Sequence, residues 1–225
     1  MLISHQKLTV RTSDLIRARL TTRMAHDYAY LARFVYEDDK ADPNSATWTS
    51  SGRAALKHIL LNEKDVKNVA LPAFTCHVVK DAIKRANKNA IYFDAAEVPT
   101  LDDVKSIIEN KKTGIDALVL PYNFGFMPNM QKIGDICKKN NILLIEDCAQ
   151  ALGAEFAEKK AGSFGDYSFY SFGISKNIGF AGGIIKTRKD MLIKSPFYPI
   201  FPRIKLDIEA LISHAFFHKN FYTKI

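Results

Sequence analysis

The sequence predicts an α/β fold built on a largely parallel sheet. Two observations carry that reading. From residue 50 onward, short β-rich runs alternate with helix-like segments, the order of a βαβ series with right-handed crossovers. The runs "KNVALP" (67–72), "AIYFD" (90–94), "DALVLP" (116–121) and "ILLIED" (142–147) are also almost unbroken apolar stretches, as strands buried on both faces are.

The helices between them are expected at 53–61, 77–87, 101–110 and 129–140, where apolar residues recur at helical spacing. "YSFYSF" (167–172) and "GGIIKT" (182–187) read as two further strands on either side of a loop that holds Lys176. Residues 1–48 are expected to be an N-terminal segment, helical over 13–36 and then a loop ending in Trp48. Residues 49–188 form the main domain. In the tail, 189–225, "SPFYPIFPRIK" holds three prolines and "DIEALISHAFFHKNFY" has the pattern of a final amphipathic helix.

At 225 residues the chain can bury one substantial core but not two generous ones. Its net charge of +8 favours anionic partners without choosing among them. The basic residues lie in scattered pairs at 111–112, 138–139 and 159–160, the pattern of a solvated surface rather than a nucleic-acid stripe, and no helix-turn-helix or aromatic-basic signature accompanies them. Cys76, Cys137 and Cys148 are an odd set without CxxC or ligand-spaced histidines, which points to a reducing compartment and to no metal site. No apolar run is long enough to span a bilayer and the N-terminus lacks an apolar signal core. A cytoplasmic protein is the expectation.

Two short stretches raise a chemical question. "IEDCAQALGA" (145–154) runs an apolar strand into Glu146 and Asp147, and a carboxylate at the end of a buried strand is costly unless a cation or donor meets it. "SFYSFGISKNIGFAGG" (168–183) holds Lys176 among Ser, Gly and Phe. In open α/β sheets ligands collect at the carboxyl ends of strands, where Asp147, Pro72–Thr75 and Pro121–Gly125 are expected. "TSSGRAAL" (49–56) offers a helix start whose free N–H groups suit a phosphate, or simply an N-cap serine. From the residues alone, Asp147 could equally cap the strand or pair with an arginine.

"SSGRAAL", "LPAFTC", "GDICKKNNILLIEDCAQALGAEF" and "AGSFGDYSFYSFGISKNIGFAGGIIKT", in this order and spacing, resemble the DegT/DnrJ/EryC1/StrS sugar aminotransferases. The resemblance covers roughly residues 48–188. It implies the three-layer α/β/α large domain of fold type I, with pyridoxal 5'-phosphate as cofactor. By resemblance Asp147 meets the cofactor's ring nitrogen and Lys176 forms its Schiff base and then acts as proton-transfer base. Gln150 would bond the ring oxygen, while Ser171 and the N–H groups of Gly52 and Arg53 would hold the phosphate, the Arg53 guanidinium being a further candidate. Glu146 is implied only as a structural companion.

The chain departs from the family's pattern in four places. Cys76 and His77 stand where an aromatic ring often stacks on the cofactor, which leaves stacking lost or passed to His77. Tyr122 replaces a frequent histidine. The loop "KNIGFAGG" is one residue shorter than usual and lacks a glutamate. The small C-terminal domain of the family is essentially absent. The resemblance implies transfer of an amino group from an amino acid, expected to be glutamate, to a nucleotide-linked keto-sugar, in a homodimer. Sugar dehydratases of the same family carry a histidine in place of the lysine, so Lys176 implies transamination. A truncated homologue that binds cofactor or sugar nucleotide without turnover is the alternative.

Overall fold

A β-strand exposes alternate residues on opposite faces, and the runs at 68–72, 117–121 and 143–147 have both sets buried because helices cover both. The run at 90–94, also expected to be buried on both faces, instead lies at the sheet's edge and leaves Tyr92 47% exposed. The computed structural model describes residues 47–173 and 182–187, together with Val35 and Lys176. The helix expected over 13–36, the loop that follows it up to residue 46 and the tail of 189–225 lie outside the described residues, except that Val35 is helical and buried in the core.

The elements run β1 (Thr47–Thr49), α1 (Gly52–Asn62), β2 (Asn68–Pro72), α2 (His77–Arg85), β3 (Asn89–Phe93), α3 (Leu101–Glu109), β4 (Ala117–Pro121), a 3-10 turn (Asn123–Gly125), α4 (Met130–Lys139), β5 (Leu143–Asp147), the short pair β6 (Glu155–Phe156) and β7 (Lys159–Lys160), then β8 (Tyr167–Ser171) and β9 (Gly183–Thr187). Seven strands form one sheet in the order β1-β9-β8-β5-β4-β2-β3. The pairs β2–β3, β2–β4, β4–β5 and β5–β8 are parallel, and β9 alone runs against its neighbours β8 and β1.

Pleat alternation sorts the core. Val69, Leu71, Ala117, Val119, Ile145 and Phe169 pack with Leu56 and Ile59 of α1 and Val79 and Ile83 of α2. Ala70, Leu118, Leu120 and Leu144 face the other way, against Val104 and Ile107 of α3 and Met130 and Ile133 of α4. The result is the three-layer α/β/α arrangement. Because α2, which leaves β2, and α4, which leaves β4, lie on opposite faces of the sheet, the connections from these neighbouring strands diverge, which opens a crevice at the strand ends.

Local chemistry sets the helix starts. Thr100 and Asp103 form a reciprocal capping box at α3, and Asn129 caps α4 by accepting from the Lys132 N–H at 3.3 Å. Lys111, Lys112, Lys138, Lys139 and Lys159 are exposed, as a solvated basic surface requires.

Two elements differ from expectation. Trp48 does not end a loop: Thr47–Thr49 pairs antiparallel with β9, because the β-branched threonines suit an edge strand and the Trp48 ring packs against Phe172 with centroids 6.3 Å apart. The β6–β7 hairpin has no counterpart among the expected elements, since its turn residues, Ala157 and Glu158, carry none of the usual turn signals.

Candidate active site

The carboxyl ends of β2, β4, β5 and β8 and the N-termini of α1 and α2 converge on one cleft, at the strand ends where ligands of open α/β sheets collect. Gly52, Arg53, Cys76, Asp147, Gln150, Ser171 and Lys176 all line it. Segments up to 124 residues apart in sequence thus meet at one place (52 to 176). His77 does not line the cleft: it is exposed at the first position of α2, and Val78 and Val79 turn inward instead.

At α1 the backbone is poised for an anion. Ser51 is the N-cap, extended at φ −174°, and its Oγ accepts from the Ala54 N–H at 3.2 Å. The N–H groups of Gly52 and Arg53 precede the first intrahelical bond, Ala55 N–H to Ser51 O at 2.9 Å. Arg53 is exposed at the mouth, a cation at the helix end where the dipole disfavours one. Gly52 presses on β8, since a Cβ there would lie 2.9 Å from Ser171 Cβ and 3.3 Å from its Oγ. Only glycine lets the helix start approach the serine so closely.

On β5 the pleat sends Asp147 to the α1–α2 face and Glu146 to the other. Asp147 is 7% exposed, and its Oδ1 accepts from the Ala149 N–H at 3.0 Å. Burial pushes its carboxyl up to about 6, opposed by the Ala149 N–H and by the charge of Lys176. An unmatched buried carboxylate of this kind is set to receive a cation.

Gln150 is oriented by Phe124. Phe124 adopts φ 58°, a left-handed conformation uncommon for a bulky residue, and there its N–H donates to Gln150 Oε1 at 3.1 Å. With the carbonyl oxygen so engaged, the amide NH2 is the end left to donate. Asn123, 6% exposed, donates through Nδ2 to Phe74 O at 3.2 Å and Glu97 O at 2.9 Å, tying the loops after β2, β3 and β4 together.

Thr75, Asn123 and Phe169 also line the cleft; the first two lie in the strand-end stretches 72–75 and 121–125 expected to face a ligand, without a role of their own, and Phe169 does not figure among the expected site residues. Phe169 could have been found, because alternation along β8 puts it on the face of Ser171. Within 121–125 nothing in the sequence singles out Asn123 beyond its being a polar residue just past a strand end. Tyr122, a substitution in the family's pattern, is 1% exposed and borders the cleft.

The arrangement offers a seat for a phosphate, a buried carboxylate for a ring cation, an amide donor and a lysine amine. Among the described residues no cluster of His, Cys, Asp or Glu could hold a metal ion, and no helix is long and apolar enough to cross a membrane.

The chain belongs to the DegT/DnrJ/EryC1/StrS aminotransferase family, whose model matches residues 38–197. It is 32% identical over 174 residues to a GDP-perosamine synthase of Escherichia coli O157:H7, covering 72% of this chain and 46% of that protein. A GDP-perosamine synthase of Vibrio cholerae is 32% identical over 158 residues, covering 66% and 41%. The chain therefore spans somewhat less than half the length of these relatives. Among solved structures, an aminotransferase from Psychrobacter cryohalolentis matches with a TM-score of 0.65 at 21% identity, over 81% of this chain and 47% of that one. A GDP-4-keto-6-deoxy-D-mannose-3-dehydratase from E. coli, with bound hydrated PLP, matches at 0.66 and 20%, over 86% and 53%. At such identities the structural likeness establishes the fold.

Proposed function

We propose that this chain carries the catalytic residues of a pyridoxal-phosphate-dependent aminotransferase that moves an amino group from an amino acid, expected to be glutamate, to a nucleotide-linked keto-sugar. The carrying observation is the convergence of Asp147, Gln150, Gly52, Arg53, Ser171 and Lys176 on one cleft. The names of the relatives, GDP-perosamine synthases and a UDP-sugar aminotransferase among them, support the nucleotide-sugar acceptor, and the net charge of +8 suits a diphosphate-bearing substrate.

The residues present fit the cofactor. The Asp147 carboxylate would meet the ring nitrogen and keep its proton in place. The Gln150 amide would donate to the ring oxygen, and the α1 N-terminus with Ser171 Oγ would hold the phosphate, assisted by Arg53. When bound, pyridoxal phosphate supplies an electron sink for the charge that develops at the amino-acid α-carbon. Lys176 Nζ would be the amine that anchors the cofactor and the base that accepts the α-carbon proton. The valines of α2 and Phe169 make the rest of the wall apolar and limit water around that proton.

A homodimer completes this reading. Phe74, Phe124 and Phe126 are 48%, 66% and 63% exposed on the loops beside the cleft, an apolar rim suited to burial against a second copy. The free thiols of Cys76, Cys137 and Cys148 suit the cytoplasm. The test is the first half-reaction. The purified chain loaded with pyridoxal phosphate is expected to convert glutamate to 2-oxoglutarate stoichiometrically, and Lys176→Ala to convert none. Cofactor binding without any conversion would favour the alternative of a non-catalytic homologue.

A further inference from the structure

Glu146 takes no part in the chemistry above, yet it is the most enclosed polar side chain among the described residues, at 0% exposure. Its Oε2 accepts from the Tyr122 hydroxyl at 2.5 Å and the Gly162 N–H at 2.8 Å. Its Oε1 accepts from the Phe164 N–H at 2.8 Å and from the Gly165 N–H. All four partners are neutral donors. A carboxylate can serve four donors because both oxygens accept, whereas a glutamine offers one accepting oxygen.

The two segments gathered this way lead into the two walls of the cleft. Tyr122 borders the cleft, its N–H donates to Asp147 O at 3.1 Å, and two residues on Phe124 orients Gln150. The Gly162–Gly165 turn leads through Asp166, whose Oδ2 accepts from the Leu144 N–H at 3.0 Å, into β8 with Phe169 and Ser171. The turn has no slack, since a Cβ at Gly165 would lie 2.7 Å from Leu144 O and 3.2 Å from Glu146 Cγ.

We propose that Glu146 is a positioning residue of the site: by joining Tyr122 to the Gly162–Gly165 turn behind β5, it holds Asp147 in register between Gln150 on one wall and Ser171 on the other. The ligand-binding arm of this inference rests on the proposed function. The positioning arm does not.

Amide hydrogen exchange on the cofactor-free chain decides the positioning, with the Val104 and Ile107 amides of α3 as reporters of global opening. In Glu146→Gln, two of the four donors face an NH2 group. The Gly162, Phe164 and Gly165 amides are expected to exchange faster. So is the Ala149 amide, which bonds Asp147 Oδ1, and so is the Tyr122 amide, both by about tenfold or more beyond α3. Opening of the turn with Ala149 and Tyr122 unchanged would reduce Glu146 to a local brace and overturn the inference, as would no change at all.

Tyr122→Phe keeps the carboxylate and its three backbone donors, and carries the test if Glu146→Gln fails to fold. It is expected to speed exchange at residues 122 and 149 while sparing the turn, and equal protection at both would again overturn the inference. In the second arm, folded Glu146→Gln is expected to bind pyridoxal phosphate at least about tenfold more weakly, about 1.4 kcal/mol. Wild-type affinity in a variant whose Ala149 amide has opened would refute the link to the ligand. A wild-type chain that binds no cofactor would instead refute the proposed function, and exchange would still decide the role of Glu146.

Discussion

Gly52 lies against Ser171 with no room for a methyl group: a Cβ on Gly52 would stand 2.9 Å from Ser171 Cβ. The contact joins the start of α1 to the end of β8, and it forms the floor of the proposed phosphate seat. Gly52→Ala is expected to destabilise the chain by about 1–3 kcal/mol through overpacking and to weaken pyridoxal phosphate binding at least about tenfold. Ser171→Ala removes one hydroxyl without crowding, so its loss is expected in affinity rather than in denaturation midpoint. Absorbance titration and urea denaturation of both variants separate the two effects.

Asp147 makes stability depend on pH in a defined window. Its carboxyl is raised from 3.8 to about 6, so between those values the folded chain keeps a proton that the unfolded chain has released. Stability is therefore greatest below the window and falls as pH rises through it, by roughly 3 kcal/mol for the cofactor-free protein. Asp147→Asn lacks this loss and is expected to be the more stable protein above about pH 6. Pyridoxal phosphate should reverse the order by stabilising the wild type more than the variant. Chemical denaturation across the window, with and without cofactor, gives all four values.

The hairpin between Phe156 and Lys159 holds Ala157 at φ 49° and Glu158 at φ 62°. Two side chains in the left-handed region cost about 1 kcal/mol or more each, and the turn prefers Asn-Gly. Glu158→Gly, and further Ala157→Asn with it, are expected to raise the melting temperature by about 2–4 °C for each kcal/mol relieved. Activity should not change, because neither residue lines the cleft.

Lys88 acts as a cap rather than as a surface charge. Its Nζ donates to Val66 O at 2.5 Å, Glu63 O at 3.0 Å and Lys64 O at 3.4 Å, satisfying carbonyls just past the end of α1. Lys88→Met keeps the stem and removes the donors, with an expected loss of about 1–2 kcal/mol by thermal or urea denaturation.

The central strands were legible because continuous apolar runs such as Ala117–Pro121 report burial on both faces without reference to anything distant. The direction of β9 was not, since Gly183–Thr187 reads the same whether its neighbour runs with it or against it. β1 was too short at three residues to stand out from a loop. Asp147, Lys176 and Gln150 were singled out through the family's spacing, and they line one cleft. His77 could not be separated from Val78 and Val79 in this way, because the phase of α2 decides which of them faces inward. The role of Glu146 was hidden for a different reason. Its donors lie 24 residues before it and 16 to 19 after it, so only the folded chain reveals why an acidic residue sits in the core.

The most direct test of the whole account is the site of covalent attachment. The chain incubated with pyridoxal phosphate should develop a visible absorption band. After borohydride reduction, peptide mass spectrometry should find the cofactor's mass on Lys176, with Lys176→Ala taking none there. Label scattered over the exposed lysines, with Lys176 unmodified and no band, would contradict the account and leave the family's fold without its chemistry.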